Sequence, residues 1–306
     1  MGSRTDWIEL DARLLRGWPL PEVAQDADKE DRGRVLVVGG SREIGGAVLL
    51  AATAALRAGA GKLVIATAQS VAAPFALLVP EARVIALPET AEGGFALEGL
   101  DLIEESARAA AAVLVGPGLM DEKATTGFVA GMLPMVEQVP LVLDALAMNA
   151  VPAHCRLDQP VLLTPHAGEM AHLSGRSKED IVRDSAQAAQ EAAREWHAVV
   201  ALKGAVTFIA TPDGQGWRHD GGNPGLATSG SGDVLAGIMV GLAAQQASLQ
   251  QACGWGVVLH ALAGGRLAQR LGPLGYLARE LPGELPALLK KLRRPPGFNS
   301  AGRPRG

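Results

Sequence analysis

Residues 223–237, Asn-Pro-Gly-Leu-Ala-Thr-Ser-Gly-Ser-Gly-Asp-Val-Leu-Ala-Gly, carry the residue order with the most direct chemical meaning in this chain. A glycine-bearing loop runs into an uninterrupted apolar helix pattern over residues 234–244, which puts Asp233 at a helix start. Gly230 and Gly232 let the backbone turn its N–H groups toward one point, and the helix adds unpaired amides and the positive end of its dipole. The product is an anion hole beside a carboxylate. An anion hole alone would bind phosphate, whereas an acid in reach of that phosphate could take the proton from a hydroxyl attacking it. The plainer reading makes Asp233 a helix N-cap, a common place for Asp.

The elements that must hold this loop are legible upstream. Residues 34–38 form a short, apolar, β-branched run ending in Gly39-Gly40-Ser41, as expected of a buried parallel strand feeding a loop. Gly45-Gly46-Ala47 then opens a helix pattern over residues 48–58 that Gly59 stops. Further strands are predicted at 62–67, 83–87, 112–116, 140–144, 161–164 and 198–202, each ending in residues suited to a site, with helix patterns between them such as 178–196. In an open α/β sheet the ligand site lies beyond the carboxyl ends of the strands, where these loops converge. The first glycine loop is not a dinucleotide fingerprint: Gly39-Gly-Ser-Arg-Glu-Ile-Gly45 departs from Gly-x-Gly-x-x-Gly, and Thr67 and Ala68 stand where an acid should end the second strand.

With 306 residues and 48% hydrophobic content, the chain can bury a large core, and no linker or repeat divides it. The net charge is −4, and the segment from Lys290 carries Lys290, Lys291, Arg293, Arg294, Arg303 and Arg305 without an acid, so the body before it is more acidic still and repels nucleic acid. The expected organisation is an N-terminal extension over 1–28, one domain over 29–289 and a basic, disordered tail over 290–306. Cys155 and Cys253 have no metal-ligand spacing, which suggests neither a zinc site nor a disulfide framework. Residues 1–20 lack a signal peptide's apolar core, and no apolar run could span a bilayer, so a soluble, cytoplasmic protein without membrane partners is expected.

Taken in order, Val38-Gly-Gly-Ser41, Gly46-Ala47, Gly116-Pro-Gly-Leu119, Leu163-Thr-Pro-His-Ala-Gly-Glu-Met170, Lys203-Gly-Ala-Val-Thr207 and residues 222–237 resemble the ADP/ATP-dependent NAD(P)H-hydrate dehydratases of the ribokinase-like superfamily. The resemblance spans about residues 29–289 and implies a three-layer α/β/α ribokinase-like fold with a mostly parallel central sheet. It also implies a stand-alone dehydratase without the epimerase domain that some relatives carry fused. The implied activity is repair: hydrated NADH or NADPH is phosphorylated on the added hydroxyl by ADP or ATP, with Mg²⁺, and loss of phosphate restores the ring. The same resemblance places the hydrated substrate against Ala47, Gly118, His166 and Asp233, and the nucleotide on Lys203, Gly204, Ala205, Val206, Thr207 and Gly232. It names no protein ligand for a metal, and it suggests a homo-oligomer, most often a tetramer.

Plainer roles compete at several of these positions. His166, after Thr-Pro at a helix start, could cap or pack; Glu169 suits the first turn of a helix; His260 reads as a core residue or one behind the site; Lys203 could simply reach solvent. A helix N-terminus should also lower the pKa of Asp233 and leave it a weak base at rest. Met120, Leu146 and Ser229 depart from the family pattern, Leu146 removing a second acid that could help hold a metal-bound phosphate or the ribose, and Ser231 stands for the common Thr. Two other functions fit the same loop: a small-molecule alcohol kinase of the same superfamily, and a non-catalytic nucleotide-binding protein.

Overall fold

The computed structural model describes residues 6–22, 24, 26, 28–151 and 159–293. Cys155, and the predicted tail beyond Arg293, lie outside the described residues. The first half of the chain gives β1 (Ile8–Glu9), α1 (Ala12–Gly17), β2 (Arg34–Val38), α2 (Gly45–Ala58), β3 (Lys62–Ala68), α3 (Gln69–Leu78), β4 (Ala82–Leu87), α4 (Gly99–Arg108), β5 (Ala112–Val115), α5 (Glu122–Met132) and β6 (Leu141–Leu143). The second half gives β7 (Val161–Leu163), α6 (Ala167–Ser174), α7 (Lys178–Arg183), α8 (Ser185–Trp196), β8 (Val199–Leu202), β9 (Thr207–Ala210), β10 (Gly216–His219), α9 (Ser231–Ala244), α10 (Leu249–Leu271) and α11 (Leu281–Leu292).

The ten strands among the described residues join in one sheet, in the order β1-β10-β9-β8-β7-β6-β5-β2-β3-β4. From β8 to β4 every neighbour is parallel; β9 is antiparallel to both β8 and β10. The apolar runs feed both faces because successive side chains point to opposite sides. Val35 and Val37 join one core with α2, α9, α10 and α11, while Leu36 and Val38 join the other with α4, α5, α6 and α8. This is the predicted three-layer α/β/α arrangement.

The structure redraws three predicted boundaries. Residues 8–20, predicted as part of an extension, are built into the fold: β1 pairs with β10, Leu10, Leu15 and Leu20 are buried, and Trp18 stacks on Trp217 with ring centroids 5.2 Å apart. The predicted helix over 178–196 is two helices, because Asp184 leaves helical geometry and caps α8, its carboxylate accepting from Gln187 N at 3.2 Å. At the other end α11 runs on to Leu292, past the predicted domain end at 289.

Helices α2 and α9 lie unusually close. A Cβ built on Gly237 would stand 2.2 Å from the Ala51 carbonyl oxygen, and one on Gly241 would stand 2.6 Å from that of Ala55. The matched spacing means the two helices run in the same direction, so both N-termini open on the side where β2 and β8 end. Gly237→Ala is therefore expected to lower the unfolding free energy by about 1–3 kcal/mol, the usual cost of overpacking, despite alanine's better helix propensity. A urea midpoint equal to the native one would show that the helices can separate at no cost.

Candidate active site

The start of α9 is built for an open backbone. Gly230 is the N-cap at φ +86°, and a Cβ there would stand 2.4 Å from Leu50 Cδ1, so both conformation and space require glycine. No side chain caps this helix. The Ser231 N–H donates to the Thr228 carbonyl at 3.2 Å and the Val234 N–H to the Gly230 carbonyl at 3.1 Å, but the Gly232 N–H has no backbone partner among the described residues. Asp233 lies in the first turn and is not the cap, so capping does not account for it.

Beside this turn, three strand ends bring charge together. Asp144 follows β6, Thr164 follows β7 and Lys203 follows β8. Thr164 Oγ1 donates to Asp144 Oδ1 at 2.6 Å, and the Lys203 ammonium donates to the same oxygen at 3.1 Å. Glu169, on α6, lies 3.9 Å from that ammonium. A Cβ built on Gly232 would stand 3.6 Å from Lys203 Nζ, which puts the ammonium against the open turn of α9. Burial pushes the Lys203 pKa down, but Asp144 and Glu169 outweigh it and hold the group above the ordinary lysine value.

Asp233 departs from the expectation that the helix start would lower its pKa. Burial, reinforced by the negative charge of Asp144, raises it to about 7, against the opposing pull of Lys203 and of its own backbone N–H. Desolvation wins because the carboxylate is withdrawn from water and forms no ion pair with Lys203 among the described residues. The consequence is chemical: an acid with a pKa near neutrality is a far better proton acceptor at physiological pH than an ordinary Asp.

A cavity of about 840 Å³ opens beside Lys203, Ser231 and Gly232; Asp144, Thr164, Glu169 and Asp233 are not on its wall. It brings together six of the predicted residues, His166, Lys203, Gly204, Ala205, Thr207 and Gly232; Val206 lies in the same β8–β9 turn but is not on its wall. His166 caps α6 as the plainer reading anticipates: its Nδ1 accepts from Gly168 N at 3.0 Å and Glu169 N at 3.1 Å, while Glu169 accepts from His166 N at 2.7 Å. An Nδ1 that accepts leaves the ring proton on Nε2, which lies 3.7 Å from Glu169 Oε1. Ala47 and Gly118 meet one another instead, a Cβ on Gly118 lying 3.0 Å from that of Ala47, and they are not on the wall of this cavity.

The sequence reading leaves several neighbours unassigned. Asp144 is the chief of them; its only sequence signal is an acid at a strand end, and Lys203 is 59 positions away. The far wall, Leu226, Leu235, Val257 and His260, comes from loop and helix residues that read as core. His260 Nε2 and Ser231 Oγ are 2.9 Å apart, and burial lowers the His260 pKa to about 4, which keeps the ring neutral behind the helix start. Leu146, the departure next to Asp144, packs against the second core in place of an acid.

Residues 35–287 match the family model described as NAD(P)H-hydrate dehydratase. The chain belongs to the NAD(P)H-hydrate dehydratase family. It is 47% identical to an ADP-dependent (S)-NAD(P)H-hydrate dehydratase of Xanthomonas campestris, over 92% of this chain and 96% of that one. It spans about half the length of bifunctional NAD(P)H-hydrate repair enzymes such as that of Moorella thermoacetica, at 43% identity over 89% of this chain and 52% of the relative. Among solved structures it resembles a ribokinase-like protein of Enterococcus faecalis, with TM-score 0.81 and 28% identity over 94% of this chain and 96% of that one. It also resembles the ADP/ATP-dependent NAD(P)H-hydrate dehydratase of Bacillus subtilis co-crystallised with ATP and Mg²⁺, with TM-score 0.80 and 29% identity over 94% of this chain and all of that one.

This NAD(P)H-hydrate dehydratase keeps open space over the α9 amides, because a Cβ on Gly232 would meet only the Lys203 ammonium. Gly232→Val should fold, yet its methyls would fill the open space that this helix start offers to an anion. ADP affinity by calorimetry is expected to fall about tenfold or more, which corresponds to about 1.4 kcal/mol or more. Native affinity in the folded variant would put the phosphates elsewhere.

Proposed function

We propose that this family member dehydrates hydrated NADH and NADPH with ADP as the phosphoryl donor, and that the start of α9 is where the phosphoryl group moves. The observation that carries this reading is Asp233, with its pKa near 7, on the same helical turn as the free Gly232 amide and alongside Lys203. In the proposed reaction the hydroxyl on the hydrated ring lies against Asp233 and attacks the terminal phosphorus of ADP. A bond forms between that hydroxyl oxygen and phosphorus, the bond to AMP breaks, and Asp233 takes the proton. Negative charge growing on the moving group meets the Gly232 amide and the helix dipole, with the Lys203 ammonium beside them. The ring carbon–oxygen bond then breaks with phosphate as leaving group, a neighbouring ring proton is lost, and the double bond returns.

The division of ligands follows the family resemblance, and the cavity supports its nucleotide half. The nucleotide is assigned to the β8–β9 turn, Lys203, Gly204, Ala205, Val206 and Thr207, and to Gly232. Ala47, Gly118, His166 and Asp233 are assigned to the hydrated ring. Among the described residues no three His, Cys, Asp or Glu side chains stand close enough to hold a metal ion, and the Lys203 ammonium lies between Asp144 and Glu169. Mg²⁺ is assigned to the nucleotide phosphates, where it would offset their charge. No helix among the described residues is long and apolar enough to cross a membrane.

The test is the return of dihydronicotinamide absorbance when the protein meets hydrated NADH and Mg²⁺ with ADP, with ATP or with no nucleotide. Recovery is expected only with nucleotide, and faster with ADP, because the ring hydroxyl is a poor leaving group until it is phosphorylated. Equal recovery in all three tubes would rule out phosphoryl transfer.

A further inference from the structure

Lys203 has one close partner and two more distant ones. Asp144 Oδ1 is 3.1 Å from its ammonium, Glu169 Oε2 is 3.9 Å away, and no ion pair joins it to Asp233 among the described residues. Asp144 is fixed from its other side, because the Thr164 hydroxyl donates to the same oxygen at 2.6 Å and both residues are buried. Separating a buried carboxylate from its ammonium leaves an uncompensated charge, so the Asp144–Lys203 contact resists disruption. The ammonium meanwhile borders the open turn of α9, where a Cβ on Gly232 would stand 3.6 Å from it. It is therefore held by one carboxylate while its charge also reaches a second, Asp233.

We propose that Asp144 is a positioning residue for the reaction: by holding Lys203 it keeps the ammonium from pairing with Asp233, and so leaves Asp233 free to take the hydroxyl proton. This rests on the dehydratase reading above and adds to it a residue that acts on Asp233 through Lys203 as well as through its own charge, without touching either ligand.

The charged and titratable groups around Asp233 come from four elements. Asp144 follows β6 and Lys203 follows β8; His166 and Glu169 lie at the start of α6, with Glu169 behind Lys203; and His260, on α10, lies across Ser231. His260 is neutral, so its ring brings no charge. Of the two groups that act directly, Asp144 raises the proton affinity of Asp233 and Lys203 lowers it. A base is needed in its ionised form, so native activity should rise as pH increases through about 7.

The test is the pH dependence of kcat/KM for hydrated NADH at saturating ADP, measured on the native protein, Asp144→Asn and Lys203→Met. Asn keeps the size of Asp144 and an oxygen for Thr164 but frees Lys203 for Asp233. Its acidic limb should move down by about one pH unit or more, with a lower plateau because the base is weaker. Removal of the ammonium in Lys203→Met should move the limb up. Opposite displacements in the two variants are a signature that a loosened fold cannot produce. A uniform loss of rate in Asp144→Asn with its limb in the native place, or a limb moved upward, would overturn the role given to Asp144. A native enzyme that dehydrates nothing at any pH would instead overturn the dehydratase reading, and this inference with it.

Discussion

One half-buried ammonium, Lys203, is the counter-charge for carboxylates that arrive on separate elements: Asp144 after β6, Glu169 on α6 and Asp233 on α9. Withdrawing an acid from water is costly unless a cation or hydrogen-bond donors replace the solvent, and three acids cannot all be satisfied by one cation. Asp144 takes the close contact and the Thr164 hydroxyl as well. Glu169 is held partly by the backbone of His166. Asp233 is left over, and its pKa rises. The reactivity given to Asp233 is thus the consequence of how a limited positive charge is shared.

The fold supplies this arrangement through its parallel sheet. Strands β6, β7 and β8 are adjacent and in register, so their carboxyl ends deliver Asp144, Thr164 and Lys203 to one place. Helix α9 reaches the same place only because small residues let it lie against α2, and Gly230 lets the chain turn into it without a side-chain cap. An ordinary Ser or Asp cap would satisfy the first amides internally. Their availability is what turns a helix start into an anion site.

Much of this was legible in the sequence, for local reasons. Apolar, β-branched runs such as Arg34–Val38 announce buried parallel strands, and the Gly-Ser-Gly-Asp segment before an apolar run announces the helix start. What escaped depends on distance or on competing periodicity. The strand Gly216–His219 is short and carries Arg and His, so it leaves no apolar run, and Thr207–Ala210 is only four residues long. Asp184 sits where a helix pattern tolerates an acid, which hides its role as a cap. Asp144 meets Lys203 across 59 positions, and the lowered pKa expected of Asp233 fails because a sequence displays the helix dipole but not the desolvation that outweighs it.

The central claim is that Asp233 is the proton acceptor at this helix start. Asp233→Asn tests it most directly, because the change keeps size and polarity and leaves the Gly230 cap untouched. The measurement is single-turnover dehydration of hydrated NADH with ADP alongside thermal unfolding. The account predicts an unchanged midpoint and a rate lower by about 10² to 10⁴-fold, the usual weight of a general base. A folded Asp233→Asn protein that turns over near the native rate would contradict it.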